Sequence, residues 1–320
     1  MSAINCEALT HEFPEKNRSA TARLALDGLS LSVDPGTVYG LLGPNGAGKT
    51  TTVKILTTLI IPTGGHASIL GMDLLTESRK IRSRIGVAFG GDRGFYGRLT
   101  GRENLEYFAA LTDLGPHDIK PGVDSILERM KLSERADSKV NTYSAGMRQR
   151  LHLARALVAD PEVVFLDEPT VGLDPAVAHD LREEVKRLRR SGKTIFLTTH
   201  YMMEADELCD KIGVIFRGKI VVSGSPNEVK MGFDRMNVTE CLVSSFDDAM
   251  LERLRASSLV ADLEIADRSS FPCIKIFSGE QGDVSQYARQ IFGSSIIGDI
   301  IVRQQTLEEA YLSIVRRQRF

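Results

Sequence analysis

Short apolar runs alternate with amphipathic stretches along most of this chain. Ile4 to Leu9, Leu29 to Val33 and Val38 to Leu42 are set apart by polar turns, with Asp34-Pro35-Gly36 as a turn signal, and they predict three strands. The polar excursion Pro14 to Ala22 between the first two reads as a loop. From Thr50 to Leu59 the period changes, and Val53, Ile55, Leu56 and Leu59 make the stripe of a helix that packs on a sheet. Ile85 to Phe89 is another short buried strand, followed by the glycine-rich loop Gly90 to Gly97. Helical patterns then run from Arg102 to Leu114, Val123 to Met130 and Ser144 to Val158, an inserted helical region.

Strand and helix alternate again after the insert. Glu162 to Leu166 reads as strand, Pro175 to Arg190 as helix, Thr194 to Thr198 as strand, Glu204 to Cys209 as helix, and Lys211 to Arg217 and Lys219 to Ser223 as strands. Such alternation implies an α/β sheet covered by helices. After Ser225-Pro226 the character shifts. Strands at Asn237 to Val243, Leu259 to Ile265, Cys273 to Phe277 and Ile296 to Val302 enclose helices at Asp247 to Ala256 and Asp283 to Phe292, and a helix at Leu307 to Val315 closes the chain. The order βαββαβ is that of a small ferredoxin-like α+β module. The expected domains are 1–229, with a helical subdomain at about 98–158, and 230–320.

The candidate chemistry lies between the third strand and the first helix. Gly43-Pro44-Asn45-Gly46-Ala47-Gly48-Lys49-Thr50, with Thr51 beside it, is a complete phosphate-binding loop in the strand-to-helix setting the motif requires. Its glycines, lacking Cβ atoms, allow a turn in which successive backbone N–H groups converge on phosphate oxygens at a helix N-terminus. Lys49 adds a point charge for the β- and γ-phosphates, and the Thr50 hydroxyl is a ligand for Mg²⁺. Asp167, after the apolar run Val163-Val164-Phe165-Leu166, has the form of a strand-end carboxylate holding the metal's coordination shell. Glu168 follows and, by the alternation of a strand, points elsewhere, where it can polarise a water for attack on the γ-phosphate.

Composition narrows the partners. Forty Lys+Arg against 42 Asp+Glu give a formal net charge of -2, so no global basic field recruits nucleic acid. Cys6, Cys209, Cys241 and Cys273 are scattered without metal-ligand spacing and suggest a reducing cytosol. The N-terminus lacks a signal-peptide pattern, and no run approaches the roughly 20 apolar residues that span a bilayer. A role at a membrane therefore requires another chain to cross it.

With these residues in place, the chain resembles ATP-binding cassette (ABC) ATPases over about residues 4 to 225. Tyr143-Ser144-Ala145-Gly146-Met147-Arg148-Gln149-Arg150 is similar to the family's signature, with alanine and methionine in place of the commoner glycine and glutamine. Val171-Gly172-Leu173-Asp174 is similar to its D-loop, Thr198-Thr199-His200 carries its switch histidine, and Phe13 stands where an aromatic ring stacks on adenine. The resemblance implies a RecA-like core with an antiparallel β-subdomain and a helical insert. It also implies a dimer, with itself or with a second cassette, in which Ser144, Gly146 and Met147 of one chain close over the ATP held by the other's phosphate loop. Within the family, Leu99 to Leu105, the signature and Gln305 to Leu312 resemble drug and lipid exporters of the daunorubicin-resistance type. Such subunits hydrolyse Mg²⁺-ATP at the cytoplasmic face of the cell membrane, attached to a separate permease, and are not nucleic-acid binders. The alternatives are a soluble cassette not tied to transport and a weakly hydrolysing regulatory subunit. The second is motivated by one departure: where the family has a glutamine after the strand Ile85 to Phe89, this chain has Gly90 and Gly91. Asp92, or an ordered water, is the expected substitute on the metal side, and Phe95 and Tyr96 are the expected exposed anchors for the permease.

Overall fold

The computed structural model describes residues 2–14, 23–89, 94–231, 236–268, 271–279 and 284–317. The chain divides into two compact units, Met1–Pro226 and Asn227–Phe320.

In the first unit, β1 (Ile4–Phe13) and β2 (Arg23–Val33) pair antiparallel, so the strand signal at Leu29 to Val33 is the end of a longer strand. β3 (Val38–Leu42) is buried at every position and leads through the glycine-rich loop into α1 (Lys49–Leu56). Val53, Ile55 and Leu56 of α1 are fully buried, each worth about 1.5–3 kcal/mol of apolar transfer. They join one cluster with Leu26 and Leu29 of β2 and Tyr39 and Leu41 of β3. Next come β4 (Gly64–Ile69), β5 (Met72–Asp73) and α2 (Ser78–Arg82). The sequence pattern gives no sign of these three, because they are short, polar-rich and opened by two glycines. The antiparallel sheet has the order β2-β1-β4-β5.

β6 (Ile85–Phe89) precedes the insert. There, α3 (Gly101–Ala109) opens with a capping box between Thr100 and Glu103. α4 (Pro116–Arg129) begins two turns before the predicted helix, with Pro116 in its first turn and Pro121 inside it. The pair Pro121-Gly122 reads locally as a break, and packing of Val123, Ile126 and Leu127 overrides it. α5 (Ala145–Leu157) completes the insert.

β7 (Val163–Asp167), α6 (Pro175–Arg190), β8 (Thr194–Thr199), α7 (Met202–Leu208), β9 (Lys211–Phe216) and β10 (Lys219–Gly224) finish the unit. The second sheet has the order β10-β9-β3-β8-β7-β6 and is parallel except at β10. Its central strands are near-continuous apolar runs because both faces are covered. β3 adjoins β8, not β6, so the carboxyl ends of β3, β7 and β8 lie together along one sheet edge.

α8 (Pro226–Met231) leads into the second unit. β11 (Met236–Leu242), α9 (Asp248–Arg255), β12 (Val260–Arg268), β13 (Phe271–Gly279), α10 (Ser285–Phe292), β14 (Ile301–Gln304) and α11 (Leu307–Arg317) follow. The antiparallel order β12-β13-β11-β14 is the ferredoxin-like arrangement. The last strand is shorter than its apolar run: Ile296 makes only an isolated bridge to Val243, and regular pairing with β11 begins at Ile301. Gly298, in the left-handed region at φ 75°, turns the chain between them.

Candidate active site

The loop from β3 to α1 takes a shape only glycine permits at two points. A Cβ on Gly43 would lie 2.5 Å from the carbonyl oxygen of Ile215 on β9, and Gly48 has φ 118° with a Cβ position 2.8 Å from Ala25 O. Lys49 is 4% exposed, and its Nζ donates to the carbonyls of Gly43 at 2.7 Å and Pro44 at 3.3 Å. Ala47 fixes the turn through its N–H to Pro44 O and its carbonyl to the N–H of Gly218.

The parallel register sets Asp167, the last residue of β7, opposite Thr198 of β8. Thr198 Oγ1 donates to Asp167 Oδ1 at 2.5 Å, and Thr50 Oγ1 reaches the same oxygen at 3.3 Å. Burial raises the Asp167 carboxyl above the usual range, and these two hydroxyls offset only part of the rise. Thr198 is a site residue that sequence reading left as strand; only the register reveals it.

Glu168 corrects the expectation drawn from strand alternation. It lies past the end of β7 in the left-handed region, φ 49°, with its N–H donating to both O and Oγ1 of Thr198 at 3.0 Å. Its direction is therefore set by a sharp turn, not by the pleat. Oε1 stands 3.2 Å from Lys49 Nζ and 3.5 Å from His200 Nδ1. His200 follows β8 and packs its ring on Tyr201, centroids 4.3 Å apart. Lys49 from the start of α1 and His200 from the end of β8 thus meet at the carboxylate that follows β7.

A cavity of about 230 Å³ opens over the loop, lined by Phe13, Arg23, Ala25, Asn45, Gly46, Gly48, Lys49, Thr50, Thr51 and Glu168. Phe13 reaches it from the end of β1 and is held edge-on by His11 at 4.5 Å. Ser144, Gly146, Met147 and Asp174 do not line it. Ser144 caps α5, its hydroxyl accepting the Met147 N–H at 3.2 Å. Asp174 caps α6, accepting from the N–H groups of Ala176 and Val177. A Cβ on Gly146 would meet Val177 Cγ2 at 3.0 Å, so the two capped helix starts pack together.

Gly90, Gly91 and Asp92 lie outside the described residues. Beyond them, Tyr96 is half exposed, as expected of an anchor. Phe95 is not: it packs on Phe108 and on His152 of α5, centroids 6.0 and 4.4 Å apart. Arg155 of α5 lies over both Phe95 and Phe108 and donates to Gly94 O at 3.1 Å. All four cysteines are free and buried, and burial pushes the Cys6 thiol up to about 12.

An anion cradle facing an acid pair across the carboxyl edge of a parallel sheet is the working surface of a nucleoside-triphosphate hydrolase. Comparison with known proteins narrows the class. The family described as ABC transporter matches residues 26–171. The chain is 45% identical to daunorubicin resistance ATP-binding protein DrrA3 of Streptomyces coeruleorubidus, over 67% of this chain and 68% of that one. It is 43% identical to Nod factor export ATP-binding protein I of Burkholderia pseudomallei (strain 1710b), over 71% and 75%. A solved ATP-binding subunit of an ABC transporter superposes with TM-score 0.64 at 27% identity, covering 72% of this chain and 93% of that one. A dimeric cassette in a post-hydrolysis state, bound to ADP and Pi, shares the fold at 24% identity and TM-score 0.62, over 69% and 98%. This chain belongs to the ABC transporter family and is an ATPase.

Proposed function

We propose that this chain is the ATP-hydrolysing subunit of an exporter, closing with a second cassette around two Mg²⁺-bound ATP molecules to drive a separate integral membrane permease. The observation that carries this reading is the split between Lys49, Thr50, Asp167, Glu168 and His200, joined by ion pairs and a hydrogen bond at one sheet edge, and Ser144, Gly146 and Met147, which open α5 and do not line the cavity over the loop. A second chain has to supply the latter groups. Relatives named for daunorubicin resistance and Nod factor export support a role in export. No helix among the described residues is long and apolar enough to cross a membrane, which fits attachment to the cytoplasmic face of the cell membrane through the permease.

Asp167 and the Thr50 hydroxyl form an all-oxygen donor set of the kind Mg²⁺ takes. The uncompensated burial of Asp167 is the feature a cation relieves. The ion would neutralise charge on the β- and γ-phosphates. The loop N–H groups and Lys49 bind the phosphates, and Phe13 stacks on the base. Glu168 accepts the proton of the attacking water as the water oxygen bonds to the γ-phosphorus and the bond to the ADP oxygen breaks, while His200 orients that water. Asp174 acts through the start of α6, which it caps against the signature helix. Tyr96, with exposed Tyr107 and Leu111, forms the permease contact on the insert.

Gel filtration with Mg²⁺-ATP tests the reading. Glu168→Gln is expected to elute as an ATP-dependent dimer, and a protein that stays monomeric under saturating ATP while turning it over would sink the two-cassette arrangement.

A further inference from the structure

Among the residues lining the cavity, Arg23 is the charged one that neither the loop motif nor the acid pair accounts for. It opens β2 as the direct antiparallel partner of Phe13, so the two side chains share a face with Cβ atoms about 5 Å apart. Both line the cavity. The guanidinium reaches over the phosphate loop: a Cβ on Gly46 would stand 3.5 Å from Arg23 Nη2. The charged side chains lining the cavity are Arg23, Lys49 and Glu168. Lys49 is compensated by Glu168 at 3.2 Å. No carboxylate among the described residues pairs with Arg23, which leaves it as the cavity's uncompensated cation.

We propose that Arg23 is a nucleotide-binding residue, a second cation for the phosphate chain, acting from the Phe13 side of the loop. The inference rests on the cavity taking ATP. A guanidinium presents several N–H donors in a plane suited to phosphate oxygens. Its place beside Phe13, with Glu168 and the metal-binding carboxylate reached from other strand ends, assigns it to ground-state binding of the α- and β-phosphates. It therefore contributes to holding ATP and ADP alike and leaves the hydrolytic step untouched, the pattern of a raised KM at constant kcat.

The test is calorimetric titration of the full chain with Mg²⁺-ATP and Mg²⁺-ADP, alongside steady-state turnover. Arg23→Ala and Arg23→Gln are each expected to weaken both nucleotides about tenfold, equal to ~1.4 kcal/mol. Arg23→Lys, which keeps the charge and loses the planar fork, is expected to bind both nucleotides with affinities between those of the parent and Arg23→Ala. Turnover at saturating ATP stays at the parental rate in all three. Unchanged affinity in Arg23→Ala overturns the proposal. Parental affinity in Arg23→Gln overturns the charge-based role. Lys49→Ala is the control that separates the two levels: if it too leaves ATP binding intact, the reading of the cavity itself has failed, whereas loss of binding in Lys49→Ala alone confines the failure to Arg23.

Discussion

Both units bury carboxylates, and two of these, Glu309 of the second and Asp167 of the first, are met in opposite ways. In the second unit, Glu309 accepts from Arg303 at 2.7 and 2.8 Å, from Lys275 at 3.0 Å and from the Thr306 N–H at 2.9 Å. Arg303 also donates to buried Glu240 at 2.6 Å. Burial alone would raise the Glu309 carboxyl, but Arg303, Thr306 and Lys275 outweigh it and hold it down to about 2. In the first unit, Asp167 has two hydroxyls and no cation bonded to it, and burial leaves its carboxyl raised. The closed network is what a structural ion cluster requires, since every buried charge is met. An open one is costly to the empty protein and suits a site completed by a ligand.

Removing the proton acceptor gives the largest expected effect. Glu168→Gln should lower ATP turnover by about a thousandfold, within the range of general acid–base catalysis, with ATP affinity retained. Steady-state hydrolysis at saturating ATP checks it, and parental turnover would reassign the base. Breaking the closed network comes next. Arg303→Ala takes one cation from buried Glu240 and leaves Lys275 as the cation on Glu309, and should destabilise the second unit by about 3 kcal/mol, read from denaturant unfolding, with ATP binding by the first unit unchanged. The matching change in the open site has the opposite sign: Asp167→Asn should raise the melting temperature of the nucleotide-free protein and weaken Mg²⁺-dependent ATP binding.

Acid titration sharpens the contrast. The Glu309 carboxyl is depressed on folding, so its contribution is fully present above the unfolded value of about 4.3 and is lost as pH falls toward about 2. Asp167 is raised, so the anion proposed to hold the metal is lost at a higher pH than an ordinary aspartate's. Mg²⁺-dependent ATP binding should accordingly fail on acidification before the second unit unfolds, as followed by nucleotide titration and circular dichroism. Simultaneous loss would contradict the comparison. The smallest effect is expected at the insert surface. Tyr96→Ala should leave basal turnover and ATP affinity within about twofold while reducing permease co-purification, in line with an exposed interface aromatic. Arg155→Ala, which removes the cation over Phe95 and the hydrogen bond to Gly94 O, should reduce permease-stimulated turnover more than basal turnover.

The local elements were legible wherever period and punctuation agree. The strand at Val163, the helix opening at Pro175 behind Asp174, and the turn at Gly43 to Thr50 all lie close to where their residues point. The short β4, β5 and α2 were not, because a few residues offer no period to detect. The start of α4 was hidden by Pro121, and the start of the last apolar run was cut off by the turn at Gly298.

What this sequence determined by itself is chemistry carried by contiguous residues: a loop that cradles phosphate, an acid pair after a buried strand, and a capped signature helix. Contiguity suffices there because backbone turns and helix caps are closed by neighbours within a few positions. Only the tertiary structure decided which distant groups complete each site. Thr198 reaches Asp167 through parallel register, Arg23 reaches the loop through its pairing with Phe13, and Arg303 reaches Glu240 across adjacent strands. A strand's partner is chosen by burial of the whole sheet, and that choice is not written in any window of local sequence.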